Sequence, residues 1–273
     1  MIKKTPKIIA IVGPTASGKS DLAVELAKKF NGEVISADSR QVYKGLTIGT
    51  GKITKKEMQG VPHHLLNVAD PRRQYSVTRY QKTAGKVVRH ILKKGKIPIL
   101  CGGTGFYVDA VLKDQIFPEV PANKKLRAQL AKKSTPELLK ILKKIDSARA
   151  KTIDAKNPVR LVRAIEIAKA LGKVPKLTES KNTYETLIIG IETPHETLKK
   201  RIQARLLKRI DQGMIREVQK LHKDGLSWKR MYALGLEYRY LAKYLKGEMT
   251  KNEMVAKLNS EIWHYAKRQL TWF

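Results

Sequence analysis

The segment Gly13-Pro14-Thr15-Ala16-Ser17-Gly18-Lys19-Ser20 fits the pattern G-x-x-x-x-G-K-[ST], and its surroundings fit as well. A short β-branched run at 8–12 stops at Gly13, as a buried parallel strand does. Behind the loop, 21–30 places Leu22, Leu26 and Phe30 on one helical face, with Ala23 and Ala27 beside them. Strand, glycine-bearing loop and helix in that order turn backbone N–H groups inward around phosphate oxygens, and the helix N-terminus adds its dipole. Lys19 adds a point charge, and Ser20 is the candidate Mg²⁺ ligand.

The rest of the chain extends this start. Residues 33–36 read as a second strand, and 77–93 as a helix with Tyr80, Ala84, Val87, Val88, Ile91 and Leu92 facing inward. A buried strand at 97–101 ends at Gly102-Gly103-Thr104-Gly105. From 123 to 171 the pattern is helical only. Thr135-Pro136 and Asn157-Pro158 each read as an N-cap followed by proline at the first helical position, and Gly172 ends the second helix. Residues 187–191 are strand-like, Thr193-Pro194-His195-Glu196 reads as a capping box, and Thr250 with Glu253 caps a last helix running to Trp272. The fold class is α/β: a P-loop NTPase-like parallel sheet flanked by helices, formed by 1–118 and 185–273, with a helical insertion at 119–184.

Lys and Arg number 56 against 24 Asp and Glu, a formal charge of +32. That surplus favours a polyanionic partner, since each neutralised phosphate releases counterions, but it leaves RNA and DNA open. No run reaches the roughly 18 apolar residues of a membrane helix. Cys101 is the only cysteine, so no disulfide forms within the chain. The expectation is a cytoplasmic monomer without membrane contact.

A nucleotide hydrolase usually places an acidic residue at the end of a neighbouring apolar strand to hold Mg²⁺. Here the strand at 97–101 ends in glycines, and Asp70 is a weak substitute because Pro71 follows it. The loop therefore reads as a grip on a phosphate chain that departs. Asp38 follows the second strand, which puts it on the same rim as the loop and Gly102–Gly105. A carboxylate facing phosphate is awkward unless it accepts a proton from an attacking group; otherwise it caps a helix or pairs with Arg40. Ser39 and Gln41 either bond a base edge or sit in a polar turn, and Thr104 offers a hydroxyl. Arg160 and Arg163 share a helical face. Arg201, Arg205, Lys208 and Arg209 form another, opposite Leu198, Ile202 and Leu206. Both faces are read as phosphate contacts on a polycationic chain, against the bland alternative of solvated surface. Trp272 and Phe273 are expected to pack on the core. His63-His64 lacks a second cluster at ligand spacing, so no metal site is read there.

These pieces, together with Ser36-Ala37-Asp38-Ser39-Arg40-Gln41-Val42-Tyr43, Pro62-His63-His64-Leu65, Asn157-Pro158-Val159-Arg160-Leu161-Val162-Arg163-Ala164 and Tyr265-Ala266-Lys267-Arg268-Gln269-Leu270-Thr271-Trp272-Phe273, resemble the tRNA dimethylallyltransferase (tRNA isopentenyltransferase) family in order and over nearly the whole chain. The resemblance implies that dimethylallyl diphosphate and Mg²⁺ occupy the phosphate loop. The exocyclic amine of adenine 37, in the tRNA anticodon stem-loop, then attacks the allylic carbon. It implies Asp38 as general base, Thr104 beside the adenine, and tRNA contacts from Asp38, Ser39, Arg40, Gln41, Thr104, Arg127, Val159, Arg160, Leu161, Val162 and Arg163. The chain departs from the family at Val159, where glutamine is common, in a shorter stretch between Val120 and Asn157, and in ending at Phe273, where relatives often continue in a basic tail.

Other classes compete. A nucleoside monophosphate kinase also sets a phosphate loop on a small α/β core, but it needs a mobile arginine-rich lid and leaves 36–43 and 265–273 unexplained. Prenyl transfer to free adenine nucleotide has little use for a basic insertion. A non-catalytic RNA-binding protein using the loop as a switch is opposed by Asp38 beside the loop.

Overall fold

The computed structural model describes residues 5–176, 178–179 and 184–273. In chain order the elements are β1 (Lys7–Val12), α1 (Lys19–Lys29), β2 (Gly32–Ser36), α2 (Lys55–Met58), β3 (His63–His64), α3 (Val77–Lys93), β4 (Ile97–Cys101), α4 (Gly105–Leu112) and β5 (Gln115–Ile116). There follow α5 (Lys124–Leu130), α6 (Thr135–Ile145), α7 (Ser147–Thr152), α8 (Pro158–Leu171), β6 (Thr178–Glu179), β7 (Glu185–Gly190), α9 (His195–Asp211), α10 (Met214–Lys223), α11 (Trp228–Leu234), α12 (Leu236–Leu245) and α13 (Lys251–Trp272).

Two compact units result, one of Met1–Asp114 with Lys181–Phe273 and one of Gln115–Ser180. In the first, five strands pair in the order β3-β2-β4-β1-β7, every pair parallel. Successive β1 side chains alternate between the two faces, and both faces are buried. Ile9 and Ile11 pack with Ala23, Val24 and Ala27 of α1. Ile8, Ala10 and Val12 pack on the other side in a core shared with α3, α4 and the helices from α9 onward. The second unit closes its own core around Leu130, Leu138, Leu142, Leu161 and Ile165, with β5 and β6 pairing antiparallel.

Several local expectations need correction. The cap of α6 is Ser134, not Thr135, because the Glu137 carboxylate takes both the Ser134 amide (2.8 Å) and its hydroxyl (2.7 Å). Thr193 forms no capping box: Pro194 occupies the cap position without a side-chain bond, and Glu196 pairs with Lys199 instead. Phe30 lies nearly half exposed at the end of α1, where Val24 takes the inward place. Trp272 and Phe273 are likewise 46% and 44% exposed and do not join the core. Asn157 caps α8 and Thr250 caps α13 as read from sequence. Among the described residues no helix is long and apolar enough to cross a membrane.

Candidate active site

The carboxyl ends of β1, β2 and β4, adjacent in the sheet, deliver three loops to one edge. After β1 comes the phosphate loop. Gly13 has φ 140°, and a Cβ there would meet the Ile191 carbonyl oxygen at 2.9 Å; Gly18 has φ 90° where the chain turns into α1. Both glycines are thus demanded by backbone geometry. Pro14, Thr15, Ala16 and Ser17 complete the loop, with Ser17 buried and Ser20 exposed in the first turn of α1. The Lys19 ammonium donates to the Pro14 carbonyl and lies 3.4 Å from Ser17 Oγ. Burial pulls Lys19 down to about 8, opposed by the neighbouring Asp38 charge.

Asp38 follows β2 in a tight turn. Its Oδ1 accepts the amides of Arg40 at 2.7 Å and Gln41 at 3.2 Å, so that oxygen caps its own loop. The turn uses only this one oxygen. The neighbouring Ser39 amide donates to Thr104 Oγ1 at 3.0 Å, which joins the Asp38 turn to the loop after β4. Gly102 makes that junction possible: a Cβ there would meet the Ala37 carbonyl oxygen at 2.3 Å. Gln41 is half-buried, accepting from Ser36 Oγ at 3.3 Å and donating to the Gly51 carbonyl at 3.4 Å.

Arg205 of α9 comes to the same place. Its Nη2 donates to the Gly51 carbonyl at 3.2 Å, and burial, followed by repulsion from Arg209, lowers its pKa to about 10. Arg209 does not lie opposite Leu198, Ile202 and Leu206. It follows Leu206 by three residues, shares the buried face, and pairs with Glu237 at 3.3 Å. Lys52 is buried too, donating to the Tyr43 carbonyl at 2.8 Å and Asn67 Oδ1 at 2.6 Å; burial lowers it to about 8. The Tyr265 phenol is raised first by burial and then by the Asp38 charge.

Sequence reasoning brought the phosphate loop, Asp38 and Thr104 to this edge but gave no role to Arg205 as an individual, Lys52 or Tyr265. A charge on the apolar stripe of α9 was the available signal for that helix. Lys52 and Tyr265 had no local signal. Asp70 is occupied by Arg72, its Oδ2 lying 2.9 Å from Nη2. His64 Nε2 contacts Glu33 at 2.8 Å, and His63 Nδ1 donates to the Val61 carbonyl.

The second unit places the remaining candidates. Arg127 grips the buried Glu166 through Nε at 2.9 Å and Nη2 at 2.7 Å, and Arg163 holds Glu166 as well as the Val120 carbonyl. Burial works against the Glu166 charge, but bonds from Arg127, the Asn123 amide and Arg163 hold it at about 2. Arg160 is exposed beside Asp154 and Val159 is 77% exposed, whereas Leu161 is fully buried. Leu161 therefore offers no side chain to a ligand on the helix surface, and Val162 is half-buried.

The IPP transferase family profile matches residues 41–273. A tRNA dimethylallyltransferase 1 of Geotalea daltonii is 45% identical over 266 residues, covering 97% of this chain and 86% of its own length. A tRNA dimethylallyltransferase 2 of Treponema denticola is 45% identical over 270 residues, covering 97% and 90%. Among solved structures, the full-length tRNA isopentenylpyrophosphate transferase of Bacillus halodurans matches with TM-score 0.74 at 38% identity, over 99% of this chain and 87% of that one. A eukaryotic dimethylallyltransferase acting on tRNA matches with TM-score 0.82 at 28% identity, over 98% and 69%. With the profile spanning most of the chain and relatives aligned almost end to end, this chain belongs to the IPP transferase family.

Proposed function

We propose that this chain transfers a dimethylallyl group from dimethylallyl diphosphate to N6 of adenine 37 in tRNA, releasing diphosphate. The observation that carries the reading is the hydrogen-bonded junction between the Asp38 turn and Thr104, one strand away from the phosphate loop. Family membership and relatives named for this activity support it.

In the proposed reaction the N6 lone pair attacks the allylic carbon and the C–O bond to diphosphate breaks, its electron pair leaving with the diphosphate. Asp38 takes the amine proton. The loop amides, Lys19 and Arg205 stabilise charge on the departing oxygens. Thr104, fixed by Ser39, orients the adenine. Mg²⁺ is the proposed cofactor, and the hard oxygen donor it needs is present: Ser20 offers an exposed hydroxyl in the first turn of α1. Ser20 would hold such an ion from the protein side, and the ion would supply charge neutralisation at the departing phosphates. A stacked adenine cannot reach a carbon held at the loop, so the base is flipped from the anticodon loop, where unstacking is cheap. The charge of +32 favours binding of the anticodon stem-loop phosphates.

Purified protein given labelled dimethylallyl diphosphate with either tRNA or AMP tests this. Label entering tRNA at adenine 37 is the expected result. Transfer to AMP alone, or phosphoryl transfer from ATP, would overturn it.

A further inference from the structure

Near the end of α13, the buried Gln269 faces two loops of the site at once. Its Oε1 accepts the Thr15 N–H at 2.8 Å, inside the phosphate loop. Its Nε2 donates to the Gly103 carbonyl at 2.8 Å, one residue before Thr104. An N–H fills one end of the amide and a carbonyl the other, so only one orientation of the side chain satisfies both. Gly103 is shaped for this contact, because a Cβ there would meet Nε2 at 1.9 Å. The same helix braces the next step of the chain. A Cβ on Gly105 would meet the Trp272 ring at 2.2 Å, and Trp272 Nε1 donates to Asp109 of α4 at 3.2 Å.

Resting on the dimethylallyl-transfer reading, we infer that Gln269 is a positioning residue. It fixes the spacing between the loop that holds the diphosphate and the loop that carries Thr104 against the Asp38 turn. Displacement at the allylic carbon needs the departing oxygen, the carbon and N6 in line. The first belongs to the phosphate loop and the last to the Asp38–Thr104 side, and one amide spans the two. A misplacement of about 1 Å costs on the order of a hundredfold in rate. Both bonds are made without touching substrate, so the role shows in turnover rather than in tRNA affinity.

Two variants separate positioning from mere packing. Gln269→Met keeps the length and removes both hydrogen bonds. Gln269→Glu keeps the acceptor for Thr15 but, when ionised, sets an oxygen against the Gly103 carbonyl; its protonated form restores the donor. The Met variant is expected to lose about 30–100-fold in kcat with KM for tRNA within about twofold of the parent. The Glu variant is expected to be comparably slow at pH 8, with its rate relative to the parent recovering at least about fivefold at pH 6. Taking that ratio at each pH cancels any pH dependence the two proteins share. Calorimetry with inorganic diphosphate and Mg²⁺ is expected to show at least about tenfold weaker binding to the Met variant, from a less ordered loop. A folded Met variant with kcat within about threefold of the parent overturns the inference, as does a Glu variant with the same deficit at both pH values. The Glu variant decides the matter if the Met variant does not fold. If the parent transfers nothing to tRNA, the proposed function falls, and the latch is judged by diphosphate binding alone, where equal affinity overturns it.

Discussion

Around the phosphate loop, Lys19, Lys52 and Arg205 all feel the Asp38 charge, with Glu217 also acting on Lys52 and Glu237 on Arg205, whereas in the helical unit Arg127 and Arg163 close on the buried Glu166. Both groups come from basic residues that look alike along the chain. In the first, burial has pulled two lysines down to about 8 and an arginine to about 10, which marks a place short of negative charge. In the second, the carboxylate sits at about 2 because its bonded cations outweigh its burial. Cations left underpaired on backbone loops favour an incoming anion; cations paired to a buried carboxylate hold helices together. The contrast distinguishes a place for chemistry from a piece of scaffold.

The largest effect expected on the first region is from Asp38→Asn. Removing the proposed proton acceptor should lower kcat by about 10²–10⁴-fold while the charge-driven part of tRNA binding persists. Single-turnover transfer of label, with tRNA affinity measured separately, checks both halves. A kcat within tenfold of the parent would remove Asp38 from the role of base and leave it as the cap of its own turn.

Glu166→Gln addresses the second region. The variant keeps the shape and drops the charge that two arginines share. Each arginine is more than a third exposed, so solvent screens part of the loss, and a destabilisation of about 1–2 kcal/mol is expected. The folded pKa of Glu166 is depressed, so its contribution is present above the ordinary carboxylate range and is lost as pH falls towards about 2. Urea denaturation should show the destabilisation with unchanged affinity for inorganic diphosphate. A fall in diphosphate affinity would break the division between chemistry and scaffold.

The pH dependence of diphosphate binding comes next in size. Lys19 is cationic below about 8 and loses its proton as pH rises through that value. The ratio of parent affinity to that of Lys19→Met, which cancels the ionisation of diphosphate itself, should therefore hold between pH 6 and 7 and shrink by about tenfold at pH 9. Lys19→Met should keep only the pH dependence that diphosphate brings by its own ionisation. A ratio that does not change with pH would place the anion away from this ammonium.

What was legible from sequence follows the same division. The phosphate loop is local: its glycines, lysine and serine lie within eight positions, and the backbone of one turn creates the site. The strands were legible because parallel strands buried on both faces read as apolar runs. Asp38 and Thr104 were placed by the rule for strand ends, not by any signal of their own. Arg205 was hidden because it sits at the border of the buried face of α9. Gln269 was hidden because the partners of its amide lie 254 and 166 positions away. The short β3 carries too few residues to show a period. The capping box expected at Thr193 is absent because a buried Thr193 ahead of Pro194 lets tertiary packing override the local pattern.

The smallest expected effect tests whether the helical unit is scaffold throughout. Val159 and Arg160 stand on the open face at the start of α8, one turn from the Glu166 cluster, with Val159 77% exposed. Among the described residues Arg160 pairs with the exposed Asp154, a contact that contributes little to stability. Arg160→Ala should leave the melting temperature nearly unchanged and reduce the slope of log affinity for tRNA against log salt by about one, the signature of a single phosphate contact. Val159→Gln should raise tRNA affinity by about two- to fivefold, the gain of one solvent-exposed hydrogen bond, without changing kcat. If both variants bind tRNA as the parent does, the open face of α8 makes no RNA contact. The polyanion-binding surface then has to be sought among the exposed lysines and arginines of α9, where Arg201 and Lys208 face solvent.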